Sequence, residues 1–118
     1  MQSIIMSFVL LSTLSWVIVD TKENTPKEKK TIKFKVEGIC EMCKETIEAA
    51  VSVKGVKFAE WDKQSKILTV VYRTDKITED ELHHRIAASG YDTEKVKATD
   101  VQYSKVHTCC RYRELDPH

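Results

Sequence analysis

The feature that most restricts this chain is a pair of cysteines, Cys40 and Cys43, placed where one hydrophobic pattern gives way to another. Before them, Thr31-Ile32-Lys33-Phe34-Lys35-Val36-Glu37 alternates polar and apolar. Ile32, Phe34 and Val36 then share one face, as in a half-buried strand. After them, Ile47, Ala50 and Val51 recur at helical spacing, which predicts a helix over 43–53 with one stripe toward a core. Gly38 frees the backbone for the loop between the two. Cysteines three apart at a helix start can turn both sulfurs toward one point. The unpaired N–H groups and the positive end of the helix dipole favour the thiolate there. Thiolate binds soft metal ions and also attacks disulfides, so the spacing leaves metal binding and redox exchange both open.

The remaining pattern narrows the fold. Residues 56–62 and 66–72 form two strand-like runs joined by Lys63-Gln64-Ser65, a hairpin by spacing. Phe58 and Trp61 alternate imperfectly with Val56 and Ala59, which suggests a bulge, and both rings are read as core and hairpin packing. Thr78 is placed to cap a second helix, with Glu81 completing a capping box and Ile77 and Leu82 forming a hydrophobic staple. Gly90 is a natural stop. His83 and His84 lie in this helix about 100° apart, so they cannot both face one ion, and they are read as surface or boundary residues. Residues 91–98 are expected to add a fourth strand through Val96 and Ala98. The order strand, helix, strand, strand, helix, strand predicts an α+β sandwich of the ferredoxin-like βαββαβ type. Its sheet would be antiparallel and four-stranded, with both helices on one face.

Four segments are expected. Residues 1–20 are read as a signal peptide or short membrane anchor, 21–30 as a charged linker, 31–98 as the domain, and 99–118 as a tail with vicinal cysteines. The apolar run from Ile4 to Val19 would span roughly 24 Å as a helix, short of the roughly 30 Å hydrocarbon layer. That length suits a signal peptide and points to an exported, periplasmic or membrane-anchored protein facing away from the cytoplasm. No Lys or Arg precedes Ile4 and no small-x-small cleavage site follows, which keeps the anchor reading open. The formal net charge is +1, and the lysines are scattered among glutamates, so no field attracts nucleic acid. Of the four cysteines, two close pairs would staple little chain, which argues for ligand or redox use of Cys40 and Cys43.

With the C-x-x-C inside that element order, the chain resembles the heavy-metal-associated domain, the fold of small copper chaperones, of the periplasmic mercury carrier and of modules of metal-transporting ATPases. Val53-Lys54-Gly55-Val56 resembles the family's glycine-valine turn before its second strand, and Ala88-Ser89-Gly90-Tyr91 resembles its glycine-aromatic ending to the second helix. Gly38-Ile39-Cys40 has one residue fewer between glycine and cysteine than the family's usual loop, with Ile39 in place of the methionine that packs beneath it. A thioredoxin-type dithiol is the alternative. It would carry tryptophan before the first cysteine and proline between the two, and the only prolines here are Pro26 and Pro117.

The resemblance implies a non-enzymatic metal carrier or scavenger. Cys40 and Cys43 thiolates would hold Cu(I) first, Hg(II) next, and Zn(II) if further ligands arrive. Cys109 and Cys110 are the candidates for those further ligands. Vicinal cysteines rarely share one ion without strain, so only one of them is expected to join, with His107 a weaker candidate. The competing reading of this pair is exposed thiols or an interchain disulfide. Met42 is read as a surface residue, and Tyr91, by resemblance, as a residue that shields the site. The ion would pass by thiolate exchange to a metal-transporting ATPase or another donor or acceptor protein. Two chains sharing one ion through their loops is a further arrangement considered. Glu37, Glu41 and Glu45 would steer docking to a basic partner, weakly and subject to salt.

Overall fold

A computed structural model describes residues 28–114 of the chain. The elements run β1 (Lys29–Lys35), α1 (Glu41–Ala50), β2 (Val56–Trp61), β3 (Ile67–Arg73), α2 (Glu79–Ala88) and the short α3 (Asp100–Tyr103), before a 3-10 turn at Thr108–Cys110. β3 lies in the middle, antiparallel to β1 on one side and to β2 on the other. It is the most apolar strand, as a central position bordered on both edges requires. Alternation sets the faces. Leu68, Val70 and Tyr72 are buried, and the register places Phe34 and Trp61 opposite Leu68. The opposite face carries Lys33, Thr69 and Glu60.

The two main helices close the core. Ile47 and Val51 from the α1 segment meet Leu82 and Ile86 from α2 over the buried sheet face, all four without solvent exposure. Thr78 caps α2 by accepting from the Glu81 backbone N–H at 3.1 Å. The Glu81 carboxylate instead accepts from Arg85 one turn on, at 3.1 Å. The imperfect alternation in β2 is a register shift between Val56 and Phe58. Trp61 is fully buried, whereas Phe58 remains about half exposed, so only the first ring belongs to the core.

The expected fourth strand is a correction. Among the described residues the sheet has three strands, and 91–98 contributes one isolated bridge, Val36 with Thr93. The segment starts along the β1 edge, where the Glu37 N–H donates to the Asp92 carbonyl at 2.9 Å and the Glu94 N–H to the Lys35 carbonyl at 3.1 Å. It then turns away because side chains capture its backbone. The Thr93 hydroxyl accepts from the Lys95 and Val96 N–H groups at 3.1 and 2.9 Å, and the Asp92 carboxylate accepts from the Ala98 N–H at 2.7 Å.

His83 is a second correction: it is fully buried, while His84 is exposed as expected. Its ring lies 3.9 Å from that of Phe34, and Nδ1 is 2.6 Å from the Thr93 hydroxyl. Histidine is amphipathic enough to serve as a flat core residue when one nitrogen is bonded. The helical stripe that includes Leu82 and Ile86 is wide enough to take in position 83. The apolar run from Ile4 to Val19 lies outside the described residues. Within them, no helix is long and apolar enough to cross a membrane.

Candidate metal centre

The loop between β1 and α1 is held from below by one side chain. Trp61 Nε1 donates to the Val36 carbonyl at 3.0 Å, and its ring underlies Gly38. A methyl group on Gly38 would meet two Trp61 ring atoms at 2.9 Å, so only glycine lets the chain pass this close. The Lys66 ammonium donates to the Gly38 carbonyl and ties the loop to the β2–β3 turn. Ile39 is buried, as its expected role beneath the loop requires.

Cys40 is the N-cap of α1 and its backbone is extended, with φ −149° and ψ 175°. Its sulfur therefore projects over the first turn of the helix, on the same side as Cys43, and the two Sγ atoms lie 3.2 Å apart. A third sulfur arrives from 70 residues away: Cys110 Sγ is 2.9 Å from Cys40 Sγ. All three sulfurs lie within 4.8 Å of one another. Cys40 is 7% exposed, and Cys43 and Cys110 are fully buried. All four cysteines are free thiols. Of the vicinal pair only Cys110 enters the cluster; Cys109 points outward, is exposed, and stands 3.8 Å from Cys110 Sγ. His107 is exposed and lies outside the cluster.

The thiols differ in acidity. Burial works to raise the pKa of Cys40, but hydrogen bonds from the Cys110 and Cys43 thiols and from the Cys43 and Met42 backbone outweigh it, and the net displacement is downward. Burial pushes the Cys110 thiol well up, and its bonds to Cys40 and Cys43 add to the effect. Tyr91 is buried beside them; burial first, and then the neighbouring Cys43, raises its pKa. The phenol therefore stays protonated.

The tail that delivers Cys110 is anchored by contacts that the sequence reading did not single out. Thr99 and Gln102 form a reciprocal capping box that starts α3. Gly90, at φ +103°, accommodates this element: a Cβ there would run into Val106 Cγ2 and meet the Gln102 carbonyl at 2.9 Å. Tyr112 stacks on Tyr91 with ring centroids 5.6 Å apart and meets Tyr103 edge-on at 5.1 Å. Its hydroxyl donates to the Gly90 carbonyl at 2.7 Å and accepts from the Asp92 N–H at 3.0 Å. Arg113 closes the arrangement, donating to the Asp92 carboxylate and to the Ala98 carbonyl, both at 2.8 Å. The available signals in the sequence were the Thr99-x-x-Gln102 capping pattern and the aromatic and basic residues around the second cysteine pair.

Three buried sulfurs with no carboxylate among them form a soft donor set. Metal–sulfur bonds of about 2.3 Å would separate three sulfurs by roughly 4 Å around a planar ion, within the reach of this cluster. Comparison with known proteins agrees with that chemistry. The family model described as the heavy-metal-associated domain matches residues 33–92, just over half of the chain and short of Cys109 and Cys110. Among solved structures, the CopZ metallochaperone is 27% identical with a TM-score of 0.52, over 54% of this chain and 98% of that one. A copper-binding domain of a P-type ATPase gives the same identity and TM-score, over 54% of this chain and 89% of that one. Oxidised MerP from Ralstonia metallidurans CH34, 23% identical with a TM-score of 0.54, covers 57% of this chain and 96% of its own, and shares the fold. No curated protein sequence matches significantly. The chain belongs to the heavy-metal-associated domain family.

Proposed function

We propose that the protein is a non-enzymatic carrier or scavenger of a soft metal ion, held by the thiolates of Cys40 and Cys43 with Cys110 as third ligand. The observation that carries this reading is the convergence of three sulfurs from two distant segments on one buried point. Cu(I) is the first choice, because it accepts two or three thiolates without a fourth ligand. Hg(II) fits the same set. Zn(II) fits less well, since a closed structural zinc site wants four ligands and the described residues bring three. The similarity to a metallochaperone and to an ATPase copper domain supports a metal-transporting ATPase or another metal-exchanging protein as the partner.

Transfer proceeds by exchange of one thiolate for another, with the oxidation state of the ion unchanged. The cluster lies beneath the tail, so two chains would not share an ion through their C-x-x-C loops without displacing it. The apolar segment ahead of the domain supports export, with handling of the ion outside the cytoplasm. Metal analysis of anaerobically purified protein, with Cu(I) titration of the wild type and of the Cys40→Ser, Cys43→Ser double variant, tests the assignment. One ion per chain, lost in the variant, is the expected result. Undiminished stoichiometry in the double variant would remove it.

A further inference from the structure

The three sulfurs that fit an ion are closed to an approaching protein: Cys43 and Cys110 have no solvent-exposed surface and Cys40 almost none. A partner's thiolate therefore cannot attack an ion seated among them while the tail is docked. Two other sulfurs stand at the surface next to the cluster. Cys109 is exposed, and its Sγ is 3.8 Å from Cys110 Sγ and 3.7 Å from Met42 Sδ. Met42 is 41% exposed, and it lies between the two loop cysteines on the first turn of α1. The Cys109 carbonyl also faces Cys40 Sγ at 3.7 Å, so this residue touches the buried site through its backbone while its side chain faces out. A thioether and a thiol side by side form a second soft donor pair.

We infer that Cys109, with Met42 beside it, is a surface relay through which the ion enters and leaves the buried Cys40–Cys43–Cys110 site. The inference rests on the carrier reading and extends it. In the outward step the Cys109 sulfur bonds the ion as the Cys110 sulfur releases it, and the Cys109 thiol proton ends on the released Cys110 sulfur. Met42 shares the ion at the surface, and an incoming thiolate then takes the place of the protein's sulfurs one at a time. Inward passage reverses these steps, and no electron is gained or lost. Cys109 Sγ and Cys110 Sγ stand 3.8 Å apart, near the roughly 4 Å that separates two sulfurs on one planar ion, so both reach it during the exchange. The chemistry that would dock here is a thiolate-bearing metal donor or acceptor.

The relay is tested by kinetics set against equilibrium, using full-length protein loaded with one equivalent of Cu(I) without oxygen and bathocuproine disulfonate as acceptor. A relay residue changes uptake and release alike, whereas an equilibrium ligand changes affinity. Cys109→Ser and Met42→Leu are each expected to slow both uptake and release, at least tenfold for Cys109→Ser, and to retain one ion per chain. Rates within twofold of wild type in Cys109→Ser would overturn the relay. So would weakened equilibrium binding without slowed exchange, which would place Cys109 in the resting site. Access by lifting of the whole tail predicts the opposite pattern, with Arg113→Ala accelerating exchange and Cys109→Ser leaving it unchanged. Failure of the wild type to bind Cu(I) at all would reject the carrier reading itself, a result distinct from each of these.

Discussion

At the scale of single residues, the site is a matter of where sulfur and aromatic atoms are held. Cys40 and Cys43 were legible in the sequence because their spacing on a helix start brings two side chains to one side. Cys110 was legible only as one of two candidates, since adjacent residues in a chain of unknown path cannot be told apart. The 3-10 turn at Thr108–Cys110 decides between them, turning Cys110 inward and Cys109 out. Replacing Cys110 by serine removes a soft donor and leaves the two loop thiolates. Cu(I) affinity should fall at least about tenfold, or ~1.4 kcal/mol, measured by competition with a Cu(I) chelator. Gly38 carries a different constraint. Gly38→Ala drives a methyl group into the Trp61 ring, and overpacking of this kind costs about 1–3 kcal/mol. Chemical denaturation should show that loss together with weaker metal binding, because the same loop carries Cys40.

At the scale of elements, periodicity located β1, α1, the β2–β3 hairpin and α2, whose stripes and alternations are long enough to dominate. It failed over 91–98. There Asp92 and Thr93 look compatible with a strand, yet their side chains satisfy the backbone that a ladder would have used. It also missed the tail, since α3 has four residues and shows no period. The tail is held by a few specific contacts, of which Arg113 with Asp92 is the most concentrated. Arg113→Ala leaves the Asp92 carboxylate without its charged donor, a loss of about 1–3 kcal/mol for a group buried to this degree. The loss should be local: amide hydrogen exchange should speed up over 99–114, with the β-sheet amides keeping their protection. Equal acceleration throughout the sheet would mean that the tail is integral to the domain core.

At the scale of the whole molecule, His83 links stability to pH. Burial lowers its pKa below the ordinary 6.5; Glu79 and Glu94 pull it upward, and Lys95 works with burial. Its Nδ1 lies 2.6 Å from the Thr93 hydroxyl, and Nε2 is buried without a hydrogen-bond partner, 3.6 Å from Glu79 Oε2. The folded state therefore resists a second proton that the unfolded chain accepts freely. The sign follows: this contribution is fully present above about pH 6.5 and declines as the pH falls below it, by at most ~1.4 kcal/mol per pH unit. Urea unfolding at pH 7.5 and 5.5 should show a drop in wild type that His83→Gln diminishes. An equal drop in both proteins would assign the effect to other groups.

The sequence by itself determined the family, the main strand and helix pattern, and the two loop cysteines, because each depends on residues close together along the chain. The tertiary structure alone decided that 91–98 leaves the sheet, that His83 is core, and that Cys110 rather than Cys109 joins the cluster. The place of Cys110 depends on a contact with Cys40 across 70 residues and that of His83 on packing against Phe34, separations that no local periodicity encodes. The segment 91–98 leaves the sheet through side-chain captures of its own backbone, which a strand-like pattern does not reveal.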